Sequence, residues 1–305
     1  WGGSSPSGRA SVRKQATPAI SSHSRYSHRP ADGFTLFLQS VPVPRYKLVI
    51  AYDGTDFHGW QKQFATDAQL ADTGFSGRLL AADGAPDEDG RKQLRTVQAV
   101  VEQRLRRVCR EPLNLQGSSR TDSGVHALAQ VAAFTRENAD TGPSDDRLLE
   151  AINSGLPDDC VVTSCARVPD DFEPIAHCAR KGYRYSIAAG KPAPLWTRRF
   201  VHHAVMPLDV PAMARAAEAL VGTHDFAAFT NVGAERESTV RTVLACDVSE
   251  TDGVIAIDVS GDGFLYNMVR IIAGTLVDAG RGKSSPERIS EAIQTGDRRL
   301  SGPTL

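Results

Sequence analysis

The chain has 305 residues, 41% of them hydrophobic and 23% charged, enough to bury a core without disulfide or metal staples, which excludes a mini-scaffold. No apolar run approaches the roughly 20 residues that span a bilayer, which argues against a helical membrane protein. The net charge of −1 argues against a nucleic-acid binder only until it is resolved along the chain.

Resolved that way, the charge is segregated. Residues 1–47 hold seven Lys/Arg against the single Asp32, and residues 66–90 hold six acids against Arg78. Residues 91–136 hold nine Lys/Arg against Glu102, Glu111 and Asp122, while residues 180–199 hold six against none. Two basic blocks therefore fall inside the foldable part, either as phosphate-facing surfaces or as solvated faces balanced by acids elsewhere. Five scattered cysteines with no C-x-x-C pair argue against a disulfide framework and a zinc site, and for a reduced compartment.

In chain order, residues 1–45 are Ser/Arg/Pro-rich without periodicity and are expected to be a disordered basic tail. The expected location is cytoplasmic, with a mitochondrion or plastid as the alternative if that tail is a transit peptide. Residues 46–52 read as a buried strand ended by Asp53-Gly54, and 66–90 as an acidic, Gly/Asp/Ala-rich insertion. Thr96 is placed to cap a helix whose Val97, Val100, Val101, Leu105 and Val108 recur at helical spacing, ended by Pro112. Strand-like runs follow at 113–117 and 128–134, then a helix near 146–153 and a strand near 160–166.

Past a boundary near residue 170, strands are expected at 183–188, 240–249 and 254–260. Helices are expected at 210–221 (closed by Gly222), at 264–279 and after Pro286. The mixture lacks strict βαβ alternation, so it predicts an α+β fold of two similar halves, 46–170 and 171–305, with antiparallel sheets flanked by helices.

Most chemical motifs fail on inspection. Gly282-Lys283-Ser284 lacks the first glycine of a P-loop, since position 277 is Val277, and Gly261-x-Gly263 lacks its third glycine at Tyr266. No histidine pair has metal-ligand spacing, so no metal is expected. D-[ST]-G, the turn of aspartic proteases, occurs at Asp72, Asp122 and Asp140, but two copies lie in acidic loops and Arg120 would oppose a shared proton at the third. That reading is a remote alternative.

What survives is Gly117-Ser118-Ser119-Arg120-Thr121-Asp122-Ser123-Gly124-Val125-His126-Ala127. Alternation would let Arg120 and Asp122 share a face, keeping the carboxylate an anion and a candidate nucleophile. Taken alone, a surface ion pair is the simpler reading.

The stretch closely resembles the R-T-D-x-G-V-H-A motif of the TruA family of tRNA pseudouridine synthases. Collinear similarities follow: Tyr52-Asp53-Gly54-Thr55 with Gly59-Trp60-Gln61, Thr96-Val97-Gln98, Asn153 with Leu156-Pro157, and Lys181-Gly182-Tyr183-Arg184-Tyr185. Gly222-x-x-Asp225-Phe226 with Phe229, and Met268-Val269-Arg270 with Gly274-Thr275-Leu276, complete the series. Ser119 and Ser123 stand where the family usually has Gly and Ala, Pro174-Ile175 replaces the frequent Ala-Arg after Phe172, and Leu305 precedes the family's Gly-Leu-Tyr-Leu strand, so the second half is expected to be truncated.

The resemblance implies isomerisation of uridine to pseudouridine in the anticodon arm of tRNA, usually at positions 38, 39 and 40, by a homodimer with no metal or organic cofactor. It makes Asp122 the catalytic carboxylate and Arg270 its basic partner. Tyr183 becomes the ring on which the extruded uracil stacks, although by itself it reads equally as a core tyrosine. Arg120, Thr121, Arg184 and Phe264 are assigned to substrate binding, and Arg104, Arg107 and Arg110 to the tRNA phosphates. The alternative of another class is a catalytically idle tRNA-binding module.

Overall fold

Strand β1 (Arg45–Tyr52) alternates so that Tyr46, Leu48, Ile50 and Tyr52 are all buried, the period-2 pattern of a strand with one face against helices. The computed structural model describes residues 43–66, 68–69, 89–138, 140–231 and 238–305; residues 1–42 of the expected basic tail and most of the acidic insertion lie outside these, while Arg45, placed at the tail's end, opens β1. Residues Pro42–Leu305 form one compact unit.

β1 lies between β5 (Ala127–Thr135) and β6 (Cys160–Val168), with β4 (Gln116–Gly117) beyond β5, all antiparallel. The short pair β2 (Phe64–Ala65) and β3 (Lys92–Gln93) flanks the acidic insertion in sequence. Helices α1 (Val97–Cys109) and α2 (Asp145–Asn153) cover one face. Val97, Val101 and Leu105 of α1, Leu148 and Ile152 of α2, and Tyr46, Leu48 and Phe134 of the sheet make one apolar core. Each such large side chain removed from water stabilises by about 1.5–3 kcal/mol. As expected, the Thr96 side chain caps α1 by accepting from Ala99 N. The helix ends at Arg110 in the left-handed conformation, because Glu111 precedes Pro112 and is biased out of the helical region.

The second half repeats the plan. Its sheet runs β8 (His202–Ala204), β7 (Lys181–Ala189), β11 (Val254–Gly261), β10 (Val240–Thr251) and β9 (Gly222–Asp225). It is antiparallel except at the β7–β8 edge. Helices α3 (Val210–Glu218), α4 (Met268–Gly280) and α5 (Pro286–Thr295) cover it, with Met213, Ile271, Leu276 and Ile289 meeting Ile187, Val243 and Ile257 in a second core. The α+β architecture of two similar sheet-and-helix halves is thus as expected.

Several boundaries move. Gly222 opens β9 instead of closing α3. The run at 113–117 shortens to two paired residues. α4 starts at Met268 instead of residue 264, because Asn267 takes a positive φ of 60° and leaves 262–267 as a loop. That correction frees Phe264 from the helix and puts it in the cleft described next.

Candidate active site

The connector from β4 to β5 carries Asp122, and its path is fixed by the segment that follows β1. Trp60 N donates to Thr121 O at 3.0 Å, Tyr52 and Thr121 share a hydroxyl hydrogen bond of 2.8 Å, and Ser123 Oγ donates to Phe57 O at 3.2 Å. The contact is so close that a Cβ at Gly54 would come within 2.0 Å of Val125 O. Gly59, with a φ of +82°, offers only 2.5 Å to Thr121 O. Side chains are excluded there by space and, at Gly59, also by backbone conformation.

His126 anchors the end of the turn. Its Nδ1 lies 3.1 Å from Gly54 N and its Nε2 2.9 Å from Arg199 O. Asp53 lies 3.1 Å from the same Nδ1 and 3.4 Å from Arg199 Nη1. Burial pushes the Asp53 carboxyl up, but the Thr55 hydrogen bonds and the neighbouring His126 and Arg199 outweigh it and hold it below the ordinary value.

Across the turn, β7 and the loop before α4 close an open cleft of about 1050 Å³, lined by Arg120, Thr121, Asp122, Tyr183, Arg184, Phe264 and Arg270. An adjoining cavity of about 410 Å³ is lined by Arg120, Thr121, Asp122 and Arg270 again, with His58 and Gln61. Asp122 and Arg270 therefore face both. Tyr183 is held from two sides: its hydroxyl is 3.1 Å from Ser119 Oγ, and the Phe264 ring meets it edge-on at 5.2 Å. Burial pushes the Tyr183 phenol above its usual value; the Ser119 hydrogen bond opposes this and the Asp122 charge adds to it. At neutral pH it is a hydroxyl and not a base. Burial likewise raises Tyr52 to about 12. Arg270 is oriented by Leu305 O at 2.5 Å and Asn267 Oδ1 at 3.3 Å.

A carboxylate, a neutral phenol, an aromatic edge and three guanidinium groups around one cleft can hold a planar base and a sugar-phosphate while attacking or deprotonating the sugar. A family model described as tRNA pseudouridine synthase matches residues 216–305. The chain is 37% identical to tRNA pseudouridine synthase A of Acetivibrio thermocellus, over 85% of this chain and 93% of that protein. Identity is 38% with tRNA pseudouridine synthase A 2 of Clostridium perfringens, over 84% and 92%, and 37% with tRNA pseudouridine synthase A of Pelobacter propionicus, over 85% and 93%.

The chain belongs to the tRNA pseudouridine synthase A family.

Seven of the residues singled out in the sequence thus meet at the cleft of this family member, and three do not. Arg104, Arg107 and Arg110 lie on or at the end of α1 and do not line it. Arg107 and Arg110 are exposed. Arg104 meets the end of α2. Its guanidinium donates to Ile152 O at 3.0 Å, to Ser154 Oγ at 2.8 Å and to Ala151 O, satisfying carbonyls left open at the end of α2. Arg104→Ala is expected to lower stability by about 1–2 kcal/mol through those lost hydrogen bonds, read as a lower Tm, with the salt dependence of tRNA binding unchanged.

Other expectations are refined. Among the described residues no ion pair links Asp122 to Arg120 or Arg270, so cleft geometry and not a salt bridge relates them. Arg184 pairs with Asp258 at 2.8 Å, an exposed contact worth little. Asp140, the other described D-[ST]-G copy, sits in an exposed turn whose Thr141 Oγ1 donates to Cys109 O at 2.7 Å, apart from the residues lining the cleft; Asp72 lies outside the described residues. Among the described residues no cluster of three His, Cys, Asp or Glu side chains could hold a metal ion, and no helix is long and apolar enough to cross a membrane. Ser119, noted in the sequence only as a departure from glycine, is a cleft contact that sequence reasoning missed, because its partner Tyr183 is 64 residues away.

Proposed function

We propose that this chain converts uridine to pseudouridine in the anticodon arm of tRNA, at positions 38, 39 and 40, acting as a homodimer. Family membership supports the isomerase reaction and a tRNA substrate; the anticodon arm and the homodimer rest on the resemblance of the motifs. The observation that carries the reading is the convergence of Asp122, Tyr183 and Arg270 on one cleft large enough for an extruded nucleotide.

The reaction breaks the C1'–N1 glycosidic bond, turns the uracil and joins C5 to C1'. The C5 proton leaves to solvent and N1 gains one, so nothing is oxidised or reduced. Asp122 supplies the carboxylate that starts cleavage. Arg270 is the basic group beside it, lining both cavities. Tyr183, kept as a hydroxyl by its burial, presents a ring to the extruded uracil, and Phe264 fixes that ring by its edge-on contact. Arg120, Thr121 and Arg184 contact the displaced nucleotide from the rim.

Tritium release from tRNA labelled at uracil C5 tests the reading. Release that exceeds one equivalent of enzyme is the expected result; tight tRNA binding with no release would instead leave a binding module. Arg107→Ala and Arg110→Ala are each expected to weaken several tRNAs about equally and to reduce the salt slope by roughly one unit, the signature of one lost phosphate contact. A mutant that shifts modification to a neighbouring uridine with its salt slope intact would contradict that role.

A further inference from the structure

The turn at residues 195–200 exposes an aromatic ring that the cleft does not use. Trp196 is 89% exposed and flanked by Leu195 at 61% and Phe200 at 52%, an unusual display for the most costly side chain to leave in water. The turn is ordered from within: Arg198 Nη1 donates to Leu195 O at 2.6 Å and Phe200 N to Thr197 O at 2.8 Å. It is also fastened to the catalytic turn. His126 Nε2 bonds Arg199 O at 2.9 Å, the His126 and Phe200 rings stand 4.7 Å apart, and Arg199 reaches Asp53. The ring thus rides on the same frame as Asp122.

Charge selects the occupant. Residues 180–199 contain six Lys/Arg and no acid, and exposed Arg198 and Arg199 adjoin the ring in sequence. Arg199 is paired with Asp53, but Arg198 makes no ion pair among the described residues, so a polyanion with planar bases matches both the ring and the unpaired charge. We propose that Trp196 is a base-stacking platform for an unpaired nucleotide of the tRNA substrate outside the catalytic cleft, with Arg198 on the adjacent phosphate. This inference rests on the proposed tRNA substrate and adds a second point of attachment that orients the RNA relative to Asp122.

Two measurements on the full chain test it. Trp196→Ala is expected to raise the Kd for unmodified tRNA transcript by about 5- to 150-fold, the range for one lost stacked base, while Trp196→Phe recovers most of the affinity. Bound tRNA is expected to quench the wild-type tryptophan fluorescence, and that quenching should largely vanish in Trp196→Phe, where Trp1 and buried Trp60 remain. Affinity of Trp196→Ala within twofold of wild type, or quenching undiminished in Trp196→Phe, would overturn the proposal. So would a fall in the mass of the free protein in Trp196→Ala, which makes the ring an interface between copies. Because both readouts are of binding, a wild-type protein that binds tRNA by Trp196 yet releases no tritium would sink the catalytic reading and leave this one standing.

Discussion

Asp122→Asn is expected to lower pseudouridine formation by at least about 10³-fold, the scale of losing an essential carboxylate, while tRNA affinity stays within about twofold. The amide has the same shape and cannot act as nucleophile or base. The turn does not rely on the carboxylate for its position: it is held by the Trp60–Thr121, Tyr52–Thr121 and Ser123–Phe57 hydrogen bonds. Phosphate contacts made elsewhere remain, and these set affinity without choosing the base. Single-turnover tritium release and a binding titration on the same preparation separate the two quantities. Turnover near wild type would remove Asp122 from the chemistry.

Gly54→Ala is expected to damage the site from behind. The added methyl would stand 2.0 Å from Val125 O and 2.5 Å from Val125 C. Both are backbone atoms, so no side chain can swing aside and the turn carrying Asp122 must move. Overpacking of this kind costs about 1–3 kcal/mol, and a shift near 1 Å in a reacting group lowers turnover on the order of 10²-fold. The Gly54 N–H bond to His126 would be disturbed as well. Thermal unfolding and tritium release together are the check: a lower Tm with a disproportionate loss of turnover is the expected pair. An unchanged Tm and rate would show that the turn does not rest on Gly54.

Much of this arrangement was legible in the amino-acid sequence. α1 was readable because its cap and its apolar stripe are local: Thr96 sits just before Val97, and Val97, Val101 and Leu105 repeat at helical spacing. The role of Arg104 was not, because a helical face does not reveal which neighbour arrives against it; here the carbonyl end of α2 does. The start of α4 was misplaced for a related reason. Phe264 and Leu265 continue the apolar pattern of the helix, but one is turned to Tyr183 and the other to the second core, and the positive φ of Asn267 that separates them leaves no mark in composition. At the site itself, Asp122 stood out by its motif and Tyr183 by its resemblance. The Ser119–Tyr183 bond and the His126–Arg199 bond join the Asp122 turn to the second half of the chain, and contacts of that range are set by the packing of two sheets.

The most direct measurement is a nucleotide-by-nucleotide map of pseudouridine in an unmodified tRNA transcript carrying uridines at positions 38, 39 and 40, after incubation with the wild-type chain and, in parallel, with Asp122→Asn. Conversion confined to those anticodon-arm uridines with the wild type, and absent with the mutant, is the expected result. Conversion at uridines elsewhere in the tRNA, equal conversion by both proteins, or none by the wild type under conditions where it binds the transcript would contradict it.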